Sequence, residues 1–168
     1  FQNETQDAHQ PVCELDEYIQ DALDLIEFAN GGVDTEWGKL RAEMGHPAPF
    51  NLKFIGIGNE QWGPGYVERL EVFMKEIRKV HPEILLIGSS GPYPGDEHFK
   101  YLWPEMARLG ADLVDEHYYQ EPDWFWNNAG RYDSYDRKGP KVFAGEFASH
   151  DYTVNRDNSF LAALSEAA

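Results

Sequence analysis

The sequence predicts an α/β protein in which parallel strands lie in one sheet. Helical patterns and short apolar runs alternate along the chain, and residues 84–88 (ILLIG) are a continuous apolar run. Such runs are typical of strands covered on both faces, and strict alternation is typical of right-handed β-α-β units. The residues alone leave two architectures open, an open doubly wound sheet and a closed (β/α)8 barrel.

The first half of the chain is predicted to hold one strand between helices. Apolar residues recur at helical spacing before and after it, and glycine or proline ends each long helix. The predicted elements are a loop at 1–13, a helix from Leu15 to Gly31 and Gly32, a short helix at 36–43, a strand at 52–58, and a helix from Pro64 to Pro82.

The second half is predicted to add three strands. Pro104 lies inside one of the helical patterns and argues against its continuity. The predicted elements are a strand at 84–88, a loop at 89–97, a helix from Phe99 to Gly110, a strand at 112–119, one helix near 123–130, a strand at 141–147, and a last helix from Asn158 to the end.

Composition excludes several classes of protein. The chain has 168 residues, with 14 basic and 30 acidic side chains and a net charge of −16. This charge disfavours nucleic acid and anionic membranes as partners and suits a neutral or weakly cationic ligand. Cys13 is the only cysteine, so an internal disulfide and a zinc ribbon are excluded. No apolar run approaches the ~20 residues of a membrane helix.

Common cofactor motifs are absent from the sequence. Gln61 stands where a dinucleotide-binding fingerprint requires glycine, and neither a phosphate-binding loop nor an HExxH zinc motif occurs. His117 is a poor metal candidate because no second ligand lies at a suitable spacing.

Polar and aromatic residues follow every predicted strand. The carboxyl ends of parallel strands meet at one edge of the sheet, where ligands bind in α/β folds. The residues at these ends are Asn59 and Glu60, Ser89 and Ser90, His117 to Tyr119, and Glu146.

Two glutamates at one rim favour glycosidic cleavage. One carboxyl group can protonate the leaving oxygen while the other, ionised, attacks carbon. Each glutamate alone is more often a solvated loop residue or a charge near a helix N-terminus. Glu116 and Tyr118 are expected to point away from the cleft, because side chains alternate along a strand. Aromatic platforms for a sugar are available at Trp62, Tyr93, Trp124 and Trp126.

These residues resemble those of the clan A glycoside hydrolases. The likeness rests on the strand-end Asn-Glu of IGIGNEQWG, the His-x-Tyr of DEHYY and the isolated glutamate of VFAGEF. Within the clan, the segments GNEQWGPGY, AEMGHPAPFNLK, RYDSYDRKGPKVFAGEF and ALDLIEFANG are similar to the family 51 α-L-arabinofuranosidases. The likeness extends over most of the chain, from about residue 13 to about residue 150.

The resemblance implies a (β/α)8 barrel, accompanied in the family by a β-sandwich domain. The four predicted strands correspond to the fourth to seventh strands of that barrel. A closed barrel needs eight strands and at least ~200 residues. We therefore expect residues 1–168 to be a single segment of an incomplete catalytic barrel, without the remaining strands and the sandwich.

The resemblance also implies a retaining exo-hydrolase that removes terminal α-L-arabinofuranosyl groups from arabinan or arabinoxylan. Glu60 would be its general acid/base and Glu146 its nucleophile, with carboxyl groups ~5–5.5 Å apart. The family needs no cofactor or metal ion. The other expected site residues are Asn59 on the sugar 2-hydroxyl, Trp62 lining the pocket, and His117 and Tyr119 orienting the carboxylates.

Two alternatives stay open. The chain could be a non-catalytic carbohydrate-binding or self-associating segment, because unclosed sheet edges favour oligomers. Another clan A hydrolase, an endo-xylanase or endo-glucanase, shares the same pair of glutamates. We expect little or no activity from the isolated chain. The sequence leaves localisation unknown, and we expect an extracellular or periplasmic location in preference to a cytoplasmic one.

Overall fold

The structure, a computed structural model, describes residues 9–150. The predicted helix from Asn158 therefore lies outside the described residues. Within residues 9–150, no helix has both the length and the apolar character that crossing a bilayer requires.

Four parallel strands form one sheet, as the sequence predicts. They pair in sequential order, β1-β2-β3-β4. A doubly wound sheet reverses its strand order at a switch point, whereas a barrel continues in one direction, so the observed order favours a barrel segment. The strands are β1 (Phe54–Ile57), β2 (Leu85–Ser89), β3 (Leu113–Gln120) and β4 (Lys141–Ser149).

The predicted helices within the described residues are also confirmed. Thr35 caps α2 by accepting from Gly38 N, and Asp96 caps α4 by accepting from Phe99 N. Gly110 ends α4 with a φ of 70°, and Pro104 is tolerated inside that helix. The helices are α1 (Asp16–Asn30), α2 (Glu36–Glu43), α3 (Gly63–Val80), α4 (Glu97–Leu109) and α5 (Pro122–Asn127), with short 3-10 turns at Val12–Glu14 and Arg131–Ser134.

The hydrophobic core lies on the helix-facing side of the sheet. Leu86 and Val114 pack there at 0% exposure with residues of α1, α3 and α4. On the opposite side, Phe54 is paired in register with Leu85, and both side chains are exposed. The described helices therefore cover one face of the sheet, and the other face is the inner face of the barrel segment.

A β-bulge interrupts the pairing of β3 with β4. Asp115 pairs with Phe143, but the next partners are His117 and Glu146, so β4 advances three residues while β3 advances two. Regular alternation would place Phe143 and Glu146 on opposite faces. The extra residue of the bulge instead puts Glu146 beside His117.

Candidate active site

Glu60 lies in the loop immediately after β1. Its φ is 51°, in the left-handed region that non-glycine residues seldom adopt, and the residue is buried at 9% exposure. Backbone strain of this kind costs on the order of 1 kcal/mol and is concentrated at functional sites. Glu60 therefore follows the strand in a strained backbone conformation and is largely shielded from solvent.

Tyr66 of α3 joins the carboxyl ends of β1 and β2. Its hydroxyl donates to the Ile57 carbonyl at 2.6 Å and accepts from Ser89 N at 2.8 Å. Burial of the ring raises the pKa of the Tyr66 hydroxyl, so this group stays neutral and can serve as donor and acceptor together. The last residues of β1 and β2 are thus joined directly beneath the rim.

His117 of β3 contacts the Glu60 carboxyl group. The ring is 2% exposed, and its Nδ1 lies 3.0 Å from Glu60 Oε1. Its Nε2 lies 3.0 Å from Asp115 Oδ2, which side-chain alternation places on the same face of β3. Both ring nitrogens therefore face carboxylate oxygens.

Glu146 of β4 completes the group. Its Oε2 lies 3.8 Å from His117 Nδ1 and accepts a hydrogen bond from the Tyr119 hydroxyl at 2.7 Å. Single side-chain atoms of Glu60, His117 and Glu146 all lie within 4.8 Å of one another. Two carboxyl groups 86 positions apart in the sequence thus share one site.

The electrostatics of the group centre on His117. Burial opposes protonation of the ring, but hydrogen bonds with Asp115 and Glu60 and the charge of Glu146 outweigh it and raise the pKa of His117 to about 9. The ring is therefore an imidazolium at neutral pH. The hydrogen bond to Glu146 raises the pKa of the Tyr119 hydroxyl, which keeps Tyr119 a donor.

The same three groups are close enough to share a cation. Sequence spacing offered His117 no second ligand, and the fold supplies two carboxylates from other elements. However, the imidazolium already lies within 3.0 Å of Glu60 and 3.8 Å of Glu146. We therefore interpret the group as an acid–base arrangement rather than a metal centre.

The other predicted site residues lie around this group with different surroundings. Asn59 is exposed next to Glu60. Trp62 is partly buried at the start of α3, and its ring stacks on His98 with centroids 4.8 Å apart. Among the aromatic platforms, Tyr93 and Trp126 are exposed, whereas Trp124 packs against Tyr118 at 5.4 Å. Trp124 is thus engaged on the helix-facing side, because its partner Tyr118 points there.

Glu116 and Tyr118 point away from the cleft, as alternation predicts. Glu116 is 0% exposed and accepts hydrogen bonds from Trp103 Nε1, Arg131 Nε and the hydroxyls of Tyr118 and Tyr135.

The sequence analysis did not identify Asp115, which contacts His117. The available signal was its spacing of two residues from His117 within a predicted strand.

Comparison with known proteins agrees with the sequence resemblance. Residues 1–137 match the family model described as "Alpha-L-arabinofuranosidase 1 domain". The chain belongs to the family 51 α-L-arabinofuranosidases. An extracellular exo-α-L-arabinofuranosidase of Streptomyces chartreusis is 46% identical over 92% of this chain, and α-L-arabinofuranosidase 1 of Arabidopsis thaliana is 37% identical over 90%.

Solved structures of family 51 share the fold. An arabinose-bound family 51 α-L-arabinofuranosidase superposes on 91% of this chain with a TM-score of 0.72 and 30% identity. The thermostable family 51 enzyme of Thermotoga petrophila covers 79% with a TM-score of 0.60, and its 23% identity supports the fold alone. The four-stranded sheet is therefore part of a (β/α)8 barrel.

The chain spans only a fraction of these relatives. It covers 18% of the Streptomyces protein, 21% of the Arabidopsis protein and 23% of the arabinose-bound structure. Family membership consequently applies to this segment, and the activity of a whole protein has to be argued separately.

Proposed function

We propose that this chain supplies the two catalytic carboxyl groups of a retaining α-L-arabinofuranosidase. The observation that carries the proposal is the placement of Glu60 and Glu146 at one rim, with carboxyl oxygens within 4.8 Å. Retaining glycosidases hold their carboxyl groups ~5–5.5 Å apart, whereas inverting enzymes need ~6.5–9.5 Å for an intervening water. One oxygen of each carboxyl group lies within 4.8 Å of the other, and this proximity supports a double displacement.

In the first step, a carboxylate oxygen of Glu146 attacks the anomeric carbon while the glycosidic C–O bond breaks. The proton of the Glu60 carboxyl group passes to the departing oxygen, and a covalent glycosyl ester on Glu146 results. In the second step, Glu60 takes a proton from water, whose oxygen displaces Glu146 from the sugar. Tyr119 orients the attacking carboxylate through its 2.7 Å hydrogen bond.

We further assign the substrate as a terminal arabinofuranosyl group on a polysaccharide or oligosaccharide. A neutral sugar suits a chain of net charge −16, and the names of the relatives specify this activity. Asn59 would bind the sugar 2-hydroxyl and Trp62 would line the pocket. Because the Streptomyces relative is named extracellular, we propose a secreted protein.

The test uses a polypeptide of the relatives' length that contains this chain, called here the full-length form. With a chromogenic arabinofuranoside, Glu146→Ala should lower turnover by a factor on the order of 10³ or more. Added azide should then yield an arabinosyl azide of inverted configuration. Glu60→Ala with azide should yield the retained configuration, because azide then attacks the glycosyl ester.

Glu83→Ala is the matched control, since Glu83 is an exposed glutamate before β2, at the other end of the sheet. It should leave turnover unchanged. Full activity of Glu146→Ala would refute the nucleophile assignment. Oligosaccharides in place of free arabinose, released from arabinan or arabinoxylan, would indicate an endo-hydrolase instead.

A further inference from the structure

Asp115 connects three strands at the rim, and the mechanism above does not use it. Its Oδ2 lies 3.0 Å from His117 Nε2, and its Oδ1 accepts from Gly145 N of β4 at 2.9 Å. Its backbone carbonyl accepts from Ser90 N at 3.0 Å and from Ser90 Oγ at 2.8 Å, just after β2. Asp115 thus contacts His117, which is the partner of Glu60, and the backbone N–H of Gly145, which is next to Glu146.

We propose that Asp115 is a positioning residue for both catalytic carboxyl groups, holding His117 as a two-donor imidazolium and fixing the β4 bulge. The proposal rests on the function assigned above to Glu60 and Glu146. Asp115 would act through His117 and Gly145 and would not touch the substrate.

The first half of the proposal follows from hydrogen-bond chemistry. A neutral imidazole has one N–H and one lone pair, so it satisfies both contacts only if one of the facing carboxyl oxygens carries the proton. Only the imidazolium donates to Asp115 and to Glu60 together. Among residues 9–150, the ionisable groups facing the ring are Glu60 from the loop after β1, Asp115 from β3 itself, and Glu146 from β4 with Tyr119 bound to it. The end of β2 contributes Ser89 and Ser90, which do not titrate in this range.

The second half follows from the space around Gly145. A Cβ at this position would lie 2.4 Å from Asp115 Oδ1, which is closer than van der Waals contact allows. Glycine therefore lets the Asp115 carboxylate reach the Gly145 N–H within the bulge. The bulge in turn pairs His117 with Glu146.

Asp115→Asn separates the charge of Asp115 from its role as an acceptor. The asparagine Oδ1 can still accept from Gly145 N, while its NH₂ would face His117 Nε2 and favour a neutral ring. In the full-length form, the pKa of His117 should fall from about 9 toward or below the ordinary value of about 6.5. It can be followed by NMR of ¹³C-labelled histidine, with His117→Gln assigning the signal.

The same variant should lower kcat/KM by about 10- to 100-fold, chiefly through kcat, and should change the pH profile of kcat. Asp112→Asn is the matched control, because Asp112 accepts from Leu86 N at 2.9 Å at the opposite end of β3. It should leave the His117 pKa and the pH profile unchanged. An unchanged His117 pKa in Asp115→Asn would overturn the first half, whatever the outcome for Glu146→Ala.

A double-mutant cycle tests the bulge. Gly145→Ala should reduce kcat, and Asp115→Ala should reduce it as well, since each breaks the contact between the carboxylate and β4. The Asp115→Ala/Gly145→Ala pair should be no worse than the poorer single variant, because removing the carboxylate opens the space for the new methyl group. Fully additive losses would overturn the second half.

Discussion

At the residue scale, the site depends on a buried positive charge. His117 is 2% exposed and lies among Asp115, Glu60 and Glu146. Burying a charge is costly unless it is paired and hydrogen-bonded, and here each ring nitrogen has a carboxylate partner. The ring also lies between Glu60 and Glu146, whose nearest carboxyl oxygens lie within 4.8 Å of each other. One buried ring thus contacts both carboxyl groups of the proposed double displacement.

The charge of His117 predicts a pH dependence of stability. Its pKa of about 9 in the folded protein exceeds the ordinary value of about 6.5. The stabilisation is therefore complete below about pH 6.5 and is lost as pH rises through about 9. We expect His117→Gln to lower the unfolding temperature of the full-length form most at pH 6 and least at pH 10.

The matched control is His81→Gln, since His81 pairs with exposed Glu83 on the surface. Surface pairs contribute little, so its effect should be small at every pH. If His117→Gln lowers the unfolding temperature by the same amount from pH 6 to pH 10, the result would contradict the assignment of a charged His117.

At the element scale, β3 serves different purposes on its two faces. Asp115 and His117 face the rim, whereas Glu116 points toward the helices and joins α4 to the segment before β4. Its carboxylate accepts from Trp103 Nε1 at 2.9 Å, from Arg131 Nε at 3.0 Å and from the Tyr135 hydroxyl at 2.9 Å. The Glu116 carboxylate therefore fixes the long connection that leads into β4, the strand that carries Glu146.

Arg131 and Glu116 should be strongly coupled. Arg131→Met would leave the fully buried Glu116 carboxyl group without its cationic partner, at a cost of about 3–5 kcal/mol. Glu116→Gln/Arg131→Met should recover part of that loss, because neither charge is then buried. Chemical denaturation of the full-length form, followed by the fluorescence of its tryptophans, measures the cycle. If the loss of unfolding free energy in the double variant equals the sum of the losses in Glu116→Gln and Arg131→Met, the pair is not coupled.

The elements were predictable, but the alignment of Glu146 was not. Apolar runs and helix-ending residues predicted the bounds of the α-helices and strands described above to within a few positions. By contrast, regular alternation would put the Glu146 side chain on the same face of β4 as Val142 and Ala144. Only the bulge beside Gly145 turns it toward His117. The left-handed backbone of Glu60 was equally invisible, since glutamate has no preference for that region. Asp115 was missed because its partners come from β3 itself and from a strand 30 residues later.

At the scale of the whole molecule, the inner face of the sheet is apolar and open. Phe54, Leu85 and Phe143 are 47%, 39% and 45% exposed, although each lies within a strand. β1 and β4 also form the two edges of the sheet among the described residues. In a closed (β/α)8 barrel, further strands cover this face and pair these edges. Residues 9–150 thus contain the proposed chemical groups and four of the strands that would enclose them.

We therefore expect the isolated 168-residue chain to self-associate and to show little or no arabinofuranosidase activity. Its net charge of −16 opposes association at low salt, where the Debye length is about 30 Å at 0.01 M. Near 1 M salt the length falls to about 3 Å, and the apolar inner face should then dominate. Light scattering should show the mean mass rising with salt. Robust turnover by this chain alone would contradict the expectation.

Two matched substitutions identify the contact surface. Phe143→Asp places a charge on the inner face, and Leu25→Asp places the same charge on the exposed side of α1, where Leu25 is 52% exposed. If the inner face makes the contact, Phe143→Asp should move the association to higher salt, while Leu25→Asp should change it only slightly through net charge. Equal shifts for both variants would mean that net charge alone controls association. Loss of association in Leu25→Asp alone would instead place the contact on the helices.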